Sequence, residues 1–281
     1  MPDEHAADVT DWTGVAATPE DDARLAGWYD LQHGFGADDP PWPDIDWFRT
    51  LASGAGGPVL ELGCGSGRVA AALAADGHTV VGLDRSPAML SRARERAGAA
   101  GVAAEFITGD LRSFAIGRRF ALVVVPFNTF LMIAPEDRAA CLARIREHLE
   151  PDGQLAIDIF QPDPELIAGL DGGAVDEGTR KDPRTGARVS FFTSSRATVD
   201  GTTTTLRIDV VGPDGIVRRQ ERQLTLHFLY RREAALLLEG AGFELVAIHG
   251  DQDGTPADER SPRLLILARR RERRAARERR R

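Results

Sequence analysis

Residues 58–67, Pro-Val-Leu-Glu-Leu-Gly-Cys-Gly-Ser-Gly, run a short apolar strand straight into glycines at three alternate positions and then into a helical pattern over 67–76. Strand, tight turn and helix in that order build a cradle for a nucleotide-like cofactor. Gly63, Gly65 and Gly67 let the backbone turn sharply and approach a ligand closely. The helix that follows offers unpaired N–H groups and the positive end of its dipole, so the loop suits an adenosine ligand with an anionic group.

Spacing narrows the ligand. The dinucleotide fingerprint G-x-G-x-x-G needs a glycine where this chain has Arg68, so a nicotinamide cofactor fits poorly. The G-x-G-x-G spacing, with Glu61 two residues before the first glycine, resembles motif I of the class I S-adenosylmethionine-dependent methyltransferases. The resemblance implies S-adenosylmethionine as cofactor and S-adenosylhomocysteine as product.

The march of elements agrees with that fold. After the strand at 58–62 and its helix, 79–83 reads as a second apolar strand and Pro87 opens a helix to about residue 97. Strands at 103–108, 121–125 and 154–159 continue the series, with an amphipathic helix over 135–150. Continuous apolar runs such as Leu122-Val123-Val124-Val125 belong in a parallel sheet covered on both faces. The expected class is therefore doubly wound α/β. From 187 to 230 the pattern alternates and is rich in Thr and Val, with Asp200-Gly201 and Pro213-Asp214-Gly215 as hairpin turns, which predicts three antiparallel strands. A helix over 231–241 and strands near 243–248 and 263–268 would, by the resemblance, complete a seven-stranded Rossmann-like sheet whose last hairpin places one strand antiparallel. The expected organisation is lid helices at 1–50, a cofactor core at 51–170, a small antiparallel β cap at 171–230, completion of the core sheet at 231–268 and an Arg-rich tail at 269–281.

Asp84 ends the second strand, where a carboxylate can accept hydrogen bonds from both ribose hydroxyls; capping the next helix is the competing role, for which Ser86 is better suited. The cofactor set expected from the resemblance is Tyr29, Glu61, Gly63, Cys64, Gly65, Gly67, Asp84, Arg85, Met89, Asp110, Leu111, Pro126 and Asn128. In it Met89 packs on the adenine, Asp110 reads the adenine amino group, and Tyr29 closes over the methionine end. The plain alternatives stay open: Met89 as ordinary core, Asn128 as a turn cap, and Tyr29 as an aromatic anchor. Candidates to handle a proton are His227 and Tyr230, with His33 near the amino end, and Asp158 at the end of the fifth strand is a candidate to bond a substrate amine. A structural histidine competes for His227 and a local loop bond for Asp158. Asp39-Pro40-Pro41-Trp42 spells the D-P-P-W signature of adenine N6-methyltransferases, but it does not follow an apolar strand, which argues against that role.

Composition bounds the rest. At 281 residues and 42% hydrophobic content the chain can fill a large core, and two cysteines with no apolar leader or long apolar span point to a reducing, cytoplasmic setting away from membranes. Six scattered histidines without paired-ligand spacing predict no metal. Net charge is −8, yet residues 269–281 hold nine arginines and residues 1–22 hold seven acids and no Lys or Arg. The order of motifs, the insertion and Tyr29-Asp30 resemble amino-sugar N-methyltransferases and the glycine and sarcosine methyltransferases. That resemblance implies a small-molecule acceptor methylated at N or O, with a homodimer left open. The alternatives are an RNA methyltransferase that uses the basic tail on phosphates and a non-catalytic cofactor-binding protein.

Overall fold

The computed structural model describes residues 9–11, 19–35 and 42–271, which fall into two compact units: residues 9–11 and 19–35 with 164–228, and residues 42–163 with 229–271. In chain order the elements are β1 (Val9–Asp11), α1 (Pro19–His33), α2 (Asp44–Ala55), β2 (Val59–Leu62), α3 (Arg68–Ala75), β3 (Val80–Asp84), α4 (Pro87–Ala99), β4 (Glu105–Thr108) and β5 (Phe120–Val125). There follow α5 (Arg138–His148), β6 (Leu149–Phe160), α6 (Pro164–Ala168), β7 (Asp171–Lys181), β8 (Arg188–Ala197), β9 (Gly201–Val211), β10 (Val217–His227), α7 (Arg231–Gly240), β11 (Phe243–His249) and β12 (Arg263–Arg270).

The larger unit is a seven-stranded sheet in the order β11-β12-β6-β5-β2-β3-β4. β2 pairs in parallel with β3 on one side and β5 on the other, so the strand order reverses at β2, where open α/β sheets bind ligands. β12 runs antiparallel to both β6 and β11. Every residue of β2 and β5 is buried, as continuous apolar strands between two helical layers should be. Trp47 and Phe48 of α2, Leu73 of α3 and Leu90 of α4 pack in one cluster with Val59 and Leu122. Leu142 of α5 and Ala234 and Leu238 of α7 face Ile157 and Ile266. The doubly wound class expected from the sequence is therefore the one observed.

Local chemistry explains the helix ends near the site. Ser86 Oγ accepts from Met89 N at 3.0 Å and Pro87 opens α4, the cap read from the sequence. The helix expected from residue 135 begins instead as a 3-10 turn, Pro135–Asp137, before α5. At its far end His148 is locked: its Nε2 accepts from Ile116 N at 2.8 Å, which leaves Nδ1 to donate to the Arg144 carbonyl at 2.7 Å. β12 carries the chain through Arg269 and Arg270, two residues into what reads as a tail, because Gln154 and Phe243 supply partners for them. Residues 272–281, the acidic start at 1–8 and 12–18, and Asp39-Pro40-Pro41 of the D-P-P-W stretch lie outside the described residues.

The smaller unit is a five-stranded sheet in the order β1-β10-β9-β8-β7. β7 to β10 are antiparallel, and β1 adds in parallel to β10. The three antiparallel strands expected over 187–230 are β8, β9 and β10, and β7 adds a strand ahead of them that the sequence did not show. β7 was illegible because Asp171-Gly172-Gly173-Ala174 and the Asp176-Glu177-Gly178 stretch have low strand propensity, and the pairing accommodates them with two register shifts. Val189, Phe191 and Ile208 form the buried face, covered by Trp28 and Leu31 of α1.

Candidate active site

The glycine loop is bent as the sequence requires. Gly63, Gly65 and Gly67 have φ of 69°, 52° and 76°, in the left-handed region that side chains with a Cβ rarely adopt. Two of them are also packed tight. A Cβ on Gly63 would lie 2.2 Å from Thr129 Cγ2, and one on Gly67 would lie 2.7 Å from Ala93 Cβ. A Cβ on Gly65 would meet nothing within 4 Å. The middle glycine thus faces open space, as a cradle for a flat ligand demands.

Most of the loop's own amides are already bonded. Gly63 N and Cys64 N both donate to the Leu83 carbonyl, at 2.8 and 3.1 Å, and Gly67 N donates to the Cys64 carbonyl at 2.8 Å. Gly65 N donates to Asp84 Oδ2 at 2.9 Å. With these four N–H groups occupied, the loop itself is a poor pyrophosphate nest, in keeping with its G-x-G-x-G spacing. Asp84 Oδ1 accepts from Ser86 N at 2.9 Å, so the carboxylate is fixed through both oxygens while each keeps further acceptor capacity.

The other strand ends gather round. Gly109 N donates to the Asp84 carbonyl at 3.0 Å, which brings Asp110 and Leu111 beside the end of β3. Asp110 is gripped by Arg112, whose Nε and Nη2 donate at 2.9 and 2.7 Å; these bonds hold the carboxyl below its ordinary range. Arg112 also reaches Asp137 at 3.0 Å. Met89 is buried on α4, Pro126 is buried after β5, and Arg85 is half-buried beside Asp84. Cys64 is buried, and burial pushes its thiol well above the usual range, so it serves as loop packing.

Glu61 is 3% exposed, and its Oε2 has no hydrogen-bond partner. Burial pushes the carboxyl up to about 8, against the pull of Arg68. Arg68 itself forks onto Asp44 at the start of α2, Nη1 to Oδ1 at 2.7 Å and Nη2 to Oδ2 at 2.6 Å. Its guanidinium carbon lies 5.9 Å from the centroid of the Phe127 ring, and Trp42 meets that ring edge-on at 5.4 Å. Asp44 escaped the sequence reading, which met Arg68 only through the glycine spacing and Trp42 only within D-P-P-W. One signal existed: a cation in the first turn of a helix opposes the dipole, so Arg68 needed an acid beside it.

Phe127 and Asn128 have φ of 52° and 64°, the only non-glycine residues in that region among those described. Such a conformation costs about 1–3 kcal/mol per residue and persists only where the surroundings impose it. Here they do. Phe127 N donates to Asp158 Oδ2 at 3.2 Å, Asn128 N to the Asp158 carbonyl at 3.0 Å, and Phe160 N to Asn128 Oδ1 at 2.7 Å.

The candidate catalytic groups divide between the two units, Asp158 and Tyr230 in the larger one, His227 and His33 in the smaller. Asp158 is fully buried and accepts from Arg263, Nε to Oδ1 at 2.8 Å and Nη2 to Oδ2 at 2.5 Å. Burial drives its carboxyl upward while Arg263 opposes that. Tyr230 is 49% exposed at the amino end of α7, where its N–H donates to Glu233 at 3.4 Å. His227 ends β10 in the smaller unit, opposite Gly201. Tyr29 and His33 lie in that unit too: the His33 ring stacks on Phe35 with centroids 5.4 Å apart, and the Tyr29 ring is tilted against His33 at 4.5 Å. Burial lowers the His33 imidazole below its ordinary value.

Residues 59–153 match the family described as a methyltransferase domain. The chain is a class I S-adenosylmethionine-dependent methyltransferase. It is similar to a cypemycin N-terminal methyltransferase from Streptomyces sp, 29% identical over 79% of this chain and 87% of that one. It is also similar to the Streptomyces venezuelae dTDP-3-amino-3,4,6-trideoxy-alpha-D-glucopyranose N,N-dimethyltransferase, 28% identical over 70% of this chain and 79% of that one. Among solved structures, the CcbJ methyltransferase of Streptomyces caelestis superposes with a TM-score of 0.69 and 27% identity, over 88% of this chain and 98% of that one.

Proposed function

We propose that this methyltransferase places a methyl group on the nitrogen of a small natural product or amino sugar. One observation carries the choice of nitrogen: Asp158, the carboxylate at the β5–β6 end of the cradle, is tied to Arg263 and to the Phe127 amide, so it is not a free base. An amine that arrives neutral needs no base, whereas a hydroxyl usually does. The Streptomyces venezuelae relative is named as an N,N-dimethyltransferase of an amino sugar, which supports the same reading.

In this reading Gly63, Gly65 and Gly67 carry the cofactor, Asp84 takes the ribose hydroxyls, and Met89, Asp110 and Leu111 border the adenine. Glu61 and the Pro126–Asn128 turn lie toward the reacting end. S-adenosylmethionine supplies a methyl group already activated by its positive sulfur. The chain's share is then alignment and exclusion of water. Alignment can contribute about 7–11 kcal/mol, whereas a general base adds about 10²–10⁴-fold, or roughly 3–5 kcal/mol, so a site without a poised base remains competent.

The test is calorimetric binding of S-adenosylmethionine, S-adenosylhomocysteine and reduced nicotinamide dinucleotide to the wild type and to Asp84→Ala, followed by a methyl-transfer assay on paired dTDP-amino sugars and their hydroxyl counterparts. Loss of a charge-assisted pair of hydrogen bonds should weaken the sulfur cofactors about 10–100-fold in Asp84→Ala. Methylation should appear on the amino sugars alone. Transfer to the hydroxyl compounds would overturn the nitrogen assignment, and dinucleotide binding would overturn the cofactor roles given to these residues.

A further inference from the structure

A cation and a carboxylate in the apolar strands next to the site do no chemistry in the scheme above. Asp158 sits within Leu155-Ala156-Ile157-Asp158-Ile159, fully buried, and Arg263 opens the run Leu264-Leu265-Ile266-Leu267 on the neighbouring strand. A buried charge is tolerated only when paired, and the fork of Arg263 onto both carboxylate oxygens is that pairing. The carboxylate then has one more task. Its Oδ2 accepts from Phe127 N, and the carbonyl of the same residue accepts from Asn128 N. These are the two residues forced into the left-handed region, and Thr129, next in the chain, is the side chain that leaves no room for a Cβ on Gly63.

We propose that Arg263 is a positioning residue for methyl transfer: by pairing with Asp158 it holds that carboxylate as the acceptor for the Phe127 amide, and so keeps the Phe127–Asn128 turn seated against the glycine cradle. The chain of contact is Arg263 to Asp158, Asp158 to Phe127 and Asn128, and Thr129 to Gly63. Arg263 touches neither cofactor nor acceptor in this scheme. The link to methyl transfer rests on the placement of the cofactor at the cradle proposed above, whereas the clamp itself stands on the hydrogen bonds alone.

The experiment measures amide hydrogen exchange and S-adenosylhomocysteine binding on the full chain for wild type, Arg263→Lys, Arg263→Met and the double variant Asp158→Asn/Arg263→Met. The double variant removes the unpaired buried charge, so it keeps the test alive if Arg263→Met alone fails to fold. Exchange at Phe127 and Asn128 should rise at least about tenfold in the folded Met variants while Val80–Leu83 of β3 stays at the wild-type rate. Affinity for S-adenosylhomocysteine should fall about tenfold, and Arg263→Lys should recover part of both. Unchanged exchange at the turn in the folded double variant, or an equal rise at the turn and in β3, would reduce the pair to general stability and overturn the proposal. Faster exchange at the turn with undiminished affinity would overturn its link to the site. Failure of the wild type to bind S-adenosylhomocysteine would count against the cofactor placement, with the exchange rates still deciding the clamp.

Discussion

The two sheets of this protein are built on opposite logics. In the seven-stranded sheet, β2 and β5 are buried along their whole length, and the site at their ends hangs on a constrained backbone: three left-handed glycines, amides donating to Leu83, and a turn strapped to β6. In the five-stranded sheet only one face is apolar, centred on Val189, Phe191 and Ile208, and the other carries Asp209 bound by Arg219 at 2.7 and 2.9 Å. Arg207 stacks over Phe192 at 4.1 Å on that face. A site hung on a constrained backbone tolerates almost no change at a few positions. A surface of paired side chains tolerates a good deal at each of them.

The sharpest way to break the contrast is to add a single methyl group within the glycine loop. Gly67→Ala would force φ of 76° on a residue with a Cβ and drive that Cβ into Ala93. It should cost about 3 kcal/mol of stability and lower the melting temperature by several degrees. Gly65→Ala carries the backbone strain but meets no protein atom within 4 Å, so it should cost only about 1 kcal/mol. Its methyl group would instead occupy the open face, and affinity for S-adenosylhomocysteine should fall by about 100-fold or more, equivalent to about 2.7 kcal/mol. Thermal melts and calorimetry on the pair separate the two effects. Equal affinity in Gly65→Ala and wild type would show that the cofactor does not approach this glycine.

Titration offers a second way to sharpen the contrast, because the two sheets should respond at opposite ends of the pH scale. Glu61 has its carboxyl raised to about 8 by burial. Between the ordinary carboxylate value and that point the folded state binds a proton that the unfolded state has lost, so stability falls as pH rises from about 5 to about 8. Each tenfold change in proton affinity is worth about 1.4 kcal/mol, and the fall should amount to about 2–4 kcal/mol. Glu61→Gln, neutral at every pH, should abolish that slope and be the more stable protein above pH 8. Urea unfolding of both proteins from pH 5 to 9 measures it. Parallel curves would mean that Glu61 is ionised in the folded state, with Arg68 outweighing burial.

The contrast also explains what could be read in advance. The glycine loop, the parallel strands and the cap at Ser86 were legible because each is local: continuous apolar runs, alternate glycines, and a serine before a proline. β7 was not, since glycines and acids occupy most of its length and only pairing with β8 makes it a strand. The link from Asp158 to Arg263 spans 105 residues, and nothing in either segment names the other. What each segment did show was a charge in an apolar strand, which demands a partner without saying where it lies. The same limit applied to the loop amides: the sequence shows that donors exist, but only the folded backbone shows that Leu83, Cys64 and Asp84 already take them.

The smallest expected effect tests the tolerant side of the contrast. Hydrogen bonds from Arg219 hold the Asp209 carboxyl below its ordinary range, and Arg207 lies 3.8 Å away. A carboxylate with a depressed folded value adds stability that is present above about pH 4 and is lost as pH falls below it. Arg219 is about half exposed, so solvent screens the pair and its worth is at most about 1 kcal/mol. Asp209→Asn should therefore melt within a degree or two of wild type at pH 7, lose the acid-side slope below pH 4, and bind S-adenosylhomocysteine with unchanged affinity. Both proteins should lose part of their difference in high salt, since the pair is open to counterions. A loss of cofactor affinity in Asp209→Asn would contradict the division of labour between the sheets, because a carboxylate on the antiparallel sheet would then bear on a cradle hung on a constrained backbone.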